Sequence, residues 1–124
     1  MLKRAFCKFH KECYFSSEIR RKGREKANIL RGRSGLFSYC ILLSGDGNEQ
    51  LEILHSAFLR DKKYREHPPT VWGVAKTKLG AIEIVKRMMD DAAKAGMPGD
   101  ARSYLLLREQ GDRKTDGRSH TDNP

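Results

Sequence analysis

Three residues near the start of the chain have the chemistry of metal ligands: Cys7, His10 and Cys13, in the spacing Cys-x-x-His-x-x-Cys. Thiolate and imidazole suit zinc, but a structural zinc site closes with four ligands, usually supplied as two separated pairs. No second pair follows here, and the remaining candidates, Cys40 and His55, fall in segments that read as strands. The competing explanation is a chance grouping inside a basic segment. Cys40 lies among apolar residues, the setting of a small core side chain and not of an activated thiolate. His55 alternates onto the face of Leu51 and Ile53, while Ser44 and Asp46 belong to turn chemistry. No nucleophile has a base arranged beside it, so the sequence predicts no enzyme.

It predicts no cofactor either. Gly45-Asp46-Gly47 follows a strand, but the Lys and Ser/Thr of a phosphate loop are missing and no helix opens after it. Asp46, Asn48 and Glu49 do not form a calcium loop, which needs twelve residues ending in Glu. A hairpin turn explains these residues.

The strongest chemical feature is charge. Residues 1–34 hold eleven Lys/Arg against Glu12, Glu18 and Glu25, so this segment carries +8 of the chain's net +9. Within it Arg20, Arg21, Lys22, Arg24 and Lys26 form a dense cluster that Arg31 and Arg33 extend. Such side chains neutralise phosphates and release counterions, which gives sequence-independent affinity for nucleic acid. Tyr14 and Phe15 stand nearby with rings able to stack on bases. An anionic membrane surface or an acidic protein would attract the same charge. From Gly35 onward basic and acidic residues nearly balance.

The elements that position these residues follow from periodicity. Leu79, Ile82, Val85, Met89 and Ala92 recur at helical spacing, widened by Ile84 and Met88, and predict a helix from about Lys78 to Ala95. Thr77 is its N-cap, Gly96 its left-handed C-cap, and Pro98 prevents continuation. Phe37–Leu43 and Gln50–His55 alternate as the arms of a β-hairpin around Ser44-Gly45-Asp46-Gly47-Asn48. Thr70–Ala75 is a third strand, opened by Pro68-Pro69. Ala57–Arg65 is a short helix anchored by Phe58, Leu59 and Tyr64, and Ser103–Arg108 is read as a fourth strand or a docking segment. The fold class is therefore α+β: a small, mostly antiparallel sheet with one long amphipathic helix on one face. Three segments are expected: a basic N-terminal arm over 1–34, partly flexible or helical around Ile19, Ala27 and Leu30; a compact domain over 35–110; and a disordered polar tail over 111–124.

Three cysteines, an odd number, argue against a closed disulfide framework, and no secretory or membrane-spanning stretch is read, so a cytoplasmic location is expected. Leu51-Glu52-Ile53, the Leu59–Tyr64 turn, Val71-Trp72-Gly73-Val74-Ala75, the helix from Lys78 and Arg102-Ser103-Tyr104-Leu105 occur in an order that resembles a family of small uncharacterised bacterial proteins. That resemblance covers residues 51–105, supports the element order and implies no function.

Two functional expectations result. The first is an accessory or regulatory module that docks a protein partner, with Trp72 either anchoring the interface or filling the core. The second is nucleic-acid contact through the basic arm. Arg60, Lys62, Lys63 and Arg65 make a second, minor basic patch that reads as a solvated face.

Overall fold

The computed structural model describes residues 7–31, 38–44 and 50–121. The hairpin reversal at Gly45–Asn48, Phe37, Arg33 and the expected boundary at Gly35 lie outside the described residues, as do the side chains of Arg31 and Arg65. The chain divides into two compact units, residues 1–87 and 88–124.

The first unit is built on a four-stranded sheet: β1 (Lys8–Phe15), β2 (Tyr39–Leu43), β3 (Leu51–His55) and β4 (Thr70–Ala75), in the order β1-β4-β2-β3. β2 and β3 pair antiparallel with Leu43 opposite Leu51 and Tyr39 opposite His55, the register the alternation predicts. β2 also pairs antiparallel with β4, placing Ile41 opposite Gly73. β1 pairs parallel with β4, so the sheet is mixed and mostly antiparallel. β4 is central, and from Val71 to Ala75 every residue is buried, which explains its continuous apolar run.

Both faces are covered. On one, Cys40, Leu42 and Val74 form a cluster with Cys7, Ile19 and Ile29, and with Leu59 of a 3-10 turn over Ser56–Arg60. Ile29 belongs to helix α1 (Lys22–Arg31). A short helix, α2 (Lys62–Glu66), follows the 3-10 turn. On the other face lies the start of helix α3 (Lys78–Lys94). A Cβ built on Gly73 would sit 3.0 Å from Ile41 Cδ1 and 3.1 Å from Ile84 Cγ2, so the sheet's centre and α3 meet over a residue without a side chain.

Several expectations are corrected. The segment read as an arm contributes an edge strand and a helix, and Cys7, His10, Ser16, Ile19, Glu25, Asn28 and Ile29 in it are buried. Charge hid this membership, because Lys8, Lys11 and Glu12 of β1 and one side of α1 face solvent. In α1 the buried side carries Glu25, Asn28 and Ile29; of the sparse apolar stripe noted in the sequence, Ile19 is buried, Ala27 half-buried and Leu30 36% exposed. In α3 the buried stripe is Ala81, Ile84, Met88 and Ala92, whereas Leu79 and Ile82 are exposed. Apolar residues lie so close around that helix that spacing alone does not choose between neighbouring stripes. The predicted single helix over 57–65 is broken at Asp61, and its anchor Phe58 is 55% exposed.

The second unit holds the last turns of α3 and helix α4 (Ala101–Thr121). Thr77 caps the start of α3 as expected, its Oγ1 accepting from Gly80 N–H at 3.0 Å. At the other end Gly96 takes φ +84°, Met97 N–H donates back to Ala92 O at 2.8 Å and Gly96 N–H to Ala93 O at 3.0 Å. These bonds satisfy carbonyls that a helix end otherwise leaves open. Ser103–Arg108, expected as a strand or docking segment, is helical. Asp100 Oδ1 accepts from Ser103 N–H at 3.1 Å, and Ala101 and Leu105 are the buried positions four apart. A short apolar run does not distinguish strand from helix, and this cap decides it. The helix runs on through Thr121, into the segment read from the sequence as a polar tail; residues 122–124 lie outside the described residues.

Candidate nucleic-acid interface

β1 is an edge strand, and its pairing with β4 is broken. Phe9 stands opposite Val71 and Tyr14 opposite Gly73, so five steps along β1 match two along β4. The surplus residues form a bulge, which bends the strand and re-aims its side chains. His10, at its start, turns inward: it is 8% exposed, stacks on Trp72 with centroids 4.1 Å apart, and its Nδ1 accepts from Glu12 N–H at 3.1 Å.

Around this bulge cations lie over aromatic rings. Lys26 Nζ is 5.7 Å from the centroids of both Phe9 and Phe15, and Lys22 Nζ is 5.4 Å from Phe15. From the other side of the sheet, the Arg87 guanidinium lies 5.6 Å from the Tyr14 ring and donates to Phe15 O at 2.7 Å. At these distances the ring quadrupole attracts the charge by about 0.5–1 kcal/mol at an exposed site. Lys8, Lys11, Arg20, Arg21 and Arg24 are exposed beside them. Arg20, Arg21 and Lys22 gather at the start of α1, where the helix dipole disfavours positive charge. Local rules broken in this way are commonest where function requires it.

α1 is held in place by a buried polar contact. The Glu25 carboxylate accepts from the Ser38 hydroxyl and from Lys76 Nζ at 3.2 Å. Ser38 in turn exchanges bonds with Ser56: Ser38 N–H donates to Ser56 Oγ at 2.9 Å, and Ser56 N–H to Ser38 O at 2.7 Å. This contact ties helix, sheet and 3-10 turn together, and so sets where the cations of α1 stand.

No family model, curated protein or solved structure matches the chain.

The other candidates are placed differently. Among the described residues no three His, Cys, Asp or Glu side chains form a group able to hold a metal ion. Cys7 is buried and Cys13 partly buried in the core cluster, both as free thiols, while His10 packs on Trp72. Burial pushes the Cys7 thiol up to about 12. It pushes Cys13 up to about 12 as well, with Cys7 adding and Lys26 and Lys22 opposing. Cys40 is raised too, by burial first and then by Cys7, Cys13 and Glu25. A thiol held protonated is a poor nucleophile. His55 caps the 3-10 turn, its Nδ1 accepting from Ala57 N–H at 3.2 Å, with its ring edge-on to Tyr39. Trp72 is 1% exposed and fills the core, so it is no interface anchor. Among the described residues no helix is long and apolar enough to cross a membrane.

Sequence reasoning found Arg20, Arg21, Lys22, Arg24 and Lys26 but not Arg87 or Phe9. Arg87 reads as one more charge on the polar side of a helix, and only the crossing of α3 over β1 brings it to Tyr14. An open groove of about 530 Å³ is lined by Leu42 and Leu43 of β2, Glu52 of β3, Lys63 and Tyr64 of α2, and Pro69 ahead of β4.

Proposed function

We propose that this protein binds nucleic acid along the β1 edge, through phosphate contacts from Arg20, Arg21, Lys22, Arg24 and Lys26. The observation that carries this reading is the cation–aromatic surface: four ring contacts from three cations, arranged on one edge strand from both sides of the sheet. Lysines on an edge also guard against strand-to-strand aggregation. Guarding requires no aromatic rings beneath the charges, whereas contact with a polynucleotide uses both. Truncating the chain at Gly35 is no test, because it removes β1 and α1 from the folded unit. Instead, labelled oligonucleotides are titrated with the full chain across a salt series. Affinity is expected to fall linearly on log–log axes as salt rises; no binding at low salt disproves the reading.

A second reading, docking of a protein partner, is favoured by the opposite edge. Among the described residues no strand pairs with the outer side of β3, the groove reaches Glu52 of that strand, and Phe58 just beyond is 55% exposed. A partner segment adding a strand there gains main-chain hydrogen bonds. A photo-crosslinking residue in place of Glu52 should capture one reproducible protein adduct, lost on Leu51→Pro; a smear, or an adduct insensitive to the proline, rejects it.

A further inference from the structure

We infer that the β1 surface takes single-stranded polynucleotide in preference to a duplex, an inference that rests on the nucleic-acid reading above. The register break is the basis. Phe9 and Phe15 are opposite Val71 and Val74, so the bulge draws them to the spacing of three residues on β4, about 10 Å at ~3.3 Å per residue. An unbroken strand holds residues six apart at about twice that distance. Lys26 lies 5.7 Å from both rings, consistent with their being gathered. Tyr14 lies within the same span with Arg87 over it. All three rings are partly exposed; Phe9 and Phe15 rest with part of their surface against the core cluster, and Tyr14 is outside that cluster.

A ring offers a stacking surface to an unpaired base, and a cation beside it meets the phosphate that follows. Single-strand binding combines these two contacts, and it tolerates any sequence because every base has a π-face. In a duplex the base faces are covered by their neighbours, so only phosphates and groove edges are presented. Reading a groove calls for an inserted helix or two-stranded ribbon. Here the aromatic residues lie on a single edge strand whose bulge interrupts its line, and the cations bracket that strand from α1 on one side and α3 on the other. About 10 Å of gathered rings suits a short tract of unstacked nucleotides.

The test uses the full chain with labelled poly-dT, poly-U and a hairpin duplex of equal phosphate count, at matched salt. Both single strands are expected to bind at least about tenfold tighter than the duplex, the ratio one stacked base supplies. Tyr14→Leu should lower single-strand affinity about tenfold and leave duplex affinity unchanged, while Tyr14→Phe keeps both. Equal or tighter duplex binding by the parent chain overturns the inference and leaves the nucleic-acid reading standing. Equal losses for both forms in Tyr14→Leu overturn it as well. Should that variant fail to fold, the parent comparison decides alone. Binding of neither form refutes the nucleic-acid reading itself.

Discussion

The two edges of the sheet share one architecture and differ in chemistry. β1 is paired parallel, bulged between Phe9 and Tyr14, and bordered by lysines and arginines that lie over its rings. β3 is paired antiparallel in unbroken register, its five residues all half-buried, and its rings meet each other: His55 is edge-on to Tyr39 at 5.2 Å and to Phe58 at 6.5 Å. Cations occur near β3 as well, at exposed Arg60, Lys62 and Lys63, and there Lys63 lies over the ring of its own neighbour in sequence, Tyr64, 4.9 Å from its centroid. Net charge therefore says less than where rings and charges coincide. Among the described residues, Lys8, Lys11, Lys22, Arg24 and Lys26 belong to an edge strand and a helix of the folded unit instead of a separate arm.

The comparison breaks most readily on charge. Replacing Arg20, Arg21 and Arg24 together by Ala should make the slope of log affinity against log salt shallower by about three, one per lost phosphate contact. The matched triple Arg60→Ala, Lys62→Ala and Lys63→Ala should leave that slope unaltered. Equal effects from both triples would remove the distinction between the edges.

Anchoring of α1 is the next largest effect. Glu25→Ala leaves the buried Ser38 hydroxyl without its acceptor and should lower unfolding stability by about 1–3 kcal/mol in urea titration. Glu52→Ala, at the β3 edge, should cost under ~0.5 kcal/mol. Gly73→Ala probes the centre that both edges share. Its new methyl meets Ile41 and Ile84, both fully buried, and should cost about 1–2 kcal/mol, read from the same titration.

The last contrast is one of pH, and concerns the thiols of Cys7, just before β1, and Cys13, within it. In the folded chain Cys7 and Cys13 keep their protons up to about 12. Unfolded, a thiol releases its proton near ~8.5. Their contribution is therefore complete below that value and is lost as pH rises from there through the folded values. Thermal melts should show a steeper alkaline decline in the parent than in a Cys7→Ala, Cys13→Ala variant. A thiol reagent at mildly alkaline pH should label all three cysteines quickly only after denaturation.

Much of the fold was legible because its signals are local. The hairpin register, the span of β4, and the cap residues Thr77 and Gly96 depend on alternation and on backbone geometry that a few neighbouring residues express. Asp100 was equally local but went unread, because the Tyr-Leu-Leu-Leu run beside it suggested a strand. Half of the candidate surface was legible too, as the cluster from Arg20 to Lys26 with Tyr14 and Phe15. Cys7, His10 and Cys13 formed a pattern by spacing alone, whereas burial and the stacking of His10 on Trp72 assign them to the core.

By itself the sequence determined the α+β class, the pairing of β2 with β3, the ends of α3 and the uneven distribution of charge. Tertiary structure alone decided that β1 joins the sheet beside β4, across more than fifty intervening residues, since edge pairing depends on which sheet side remains open and not on any nearby residue. It also decided which stripe of α3 is buried, through the close approach at Gly73, and it brought Arg87 to Tyr14. The β1 surface exists because a strand that reads as a solvated basic arm pairs with β4, which holds its half-buried rings beside the cations of α1 and α3.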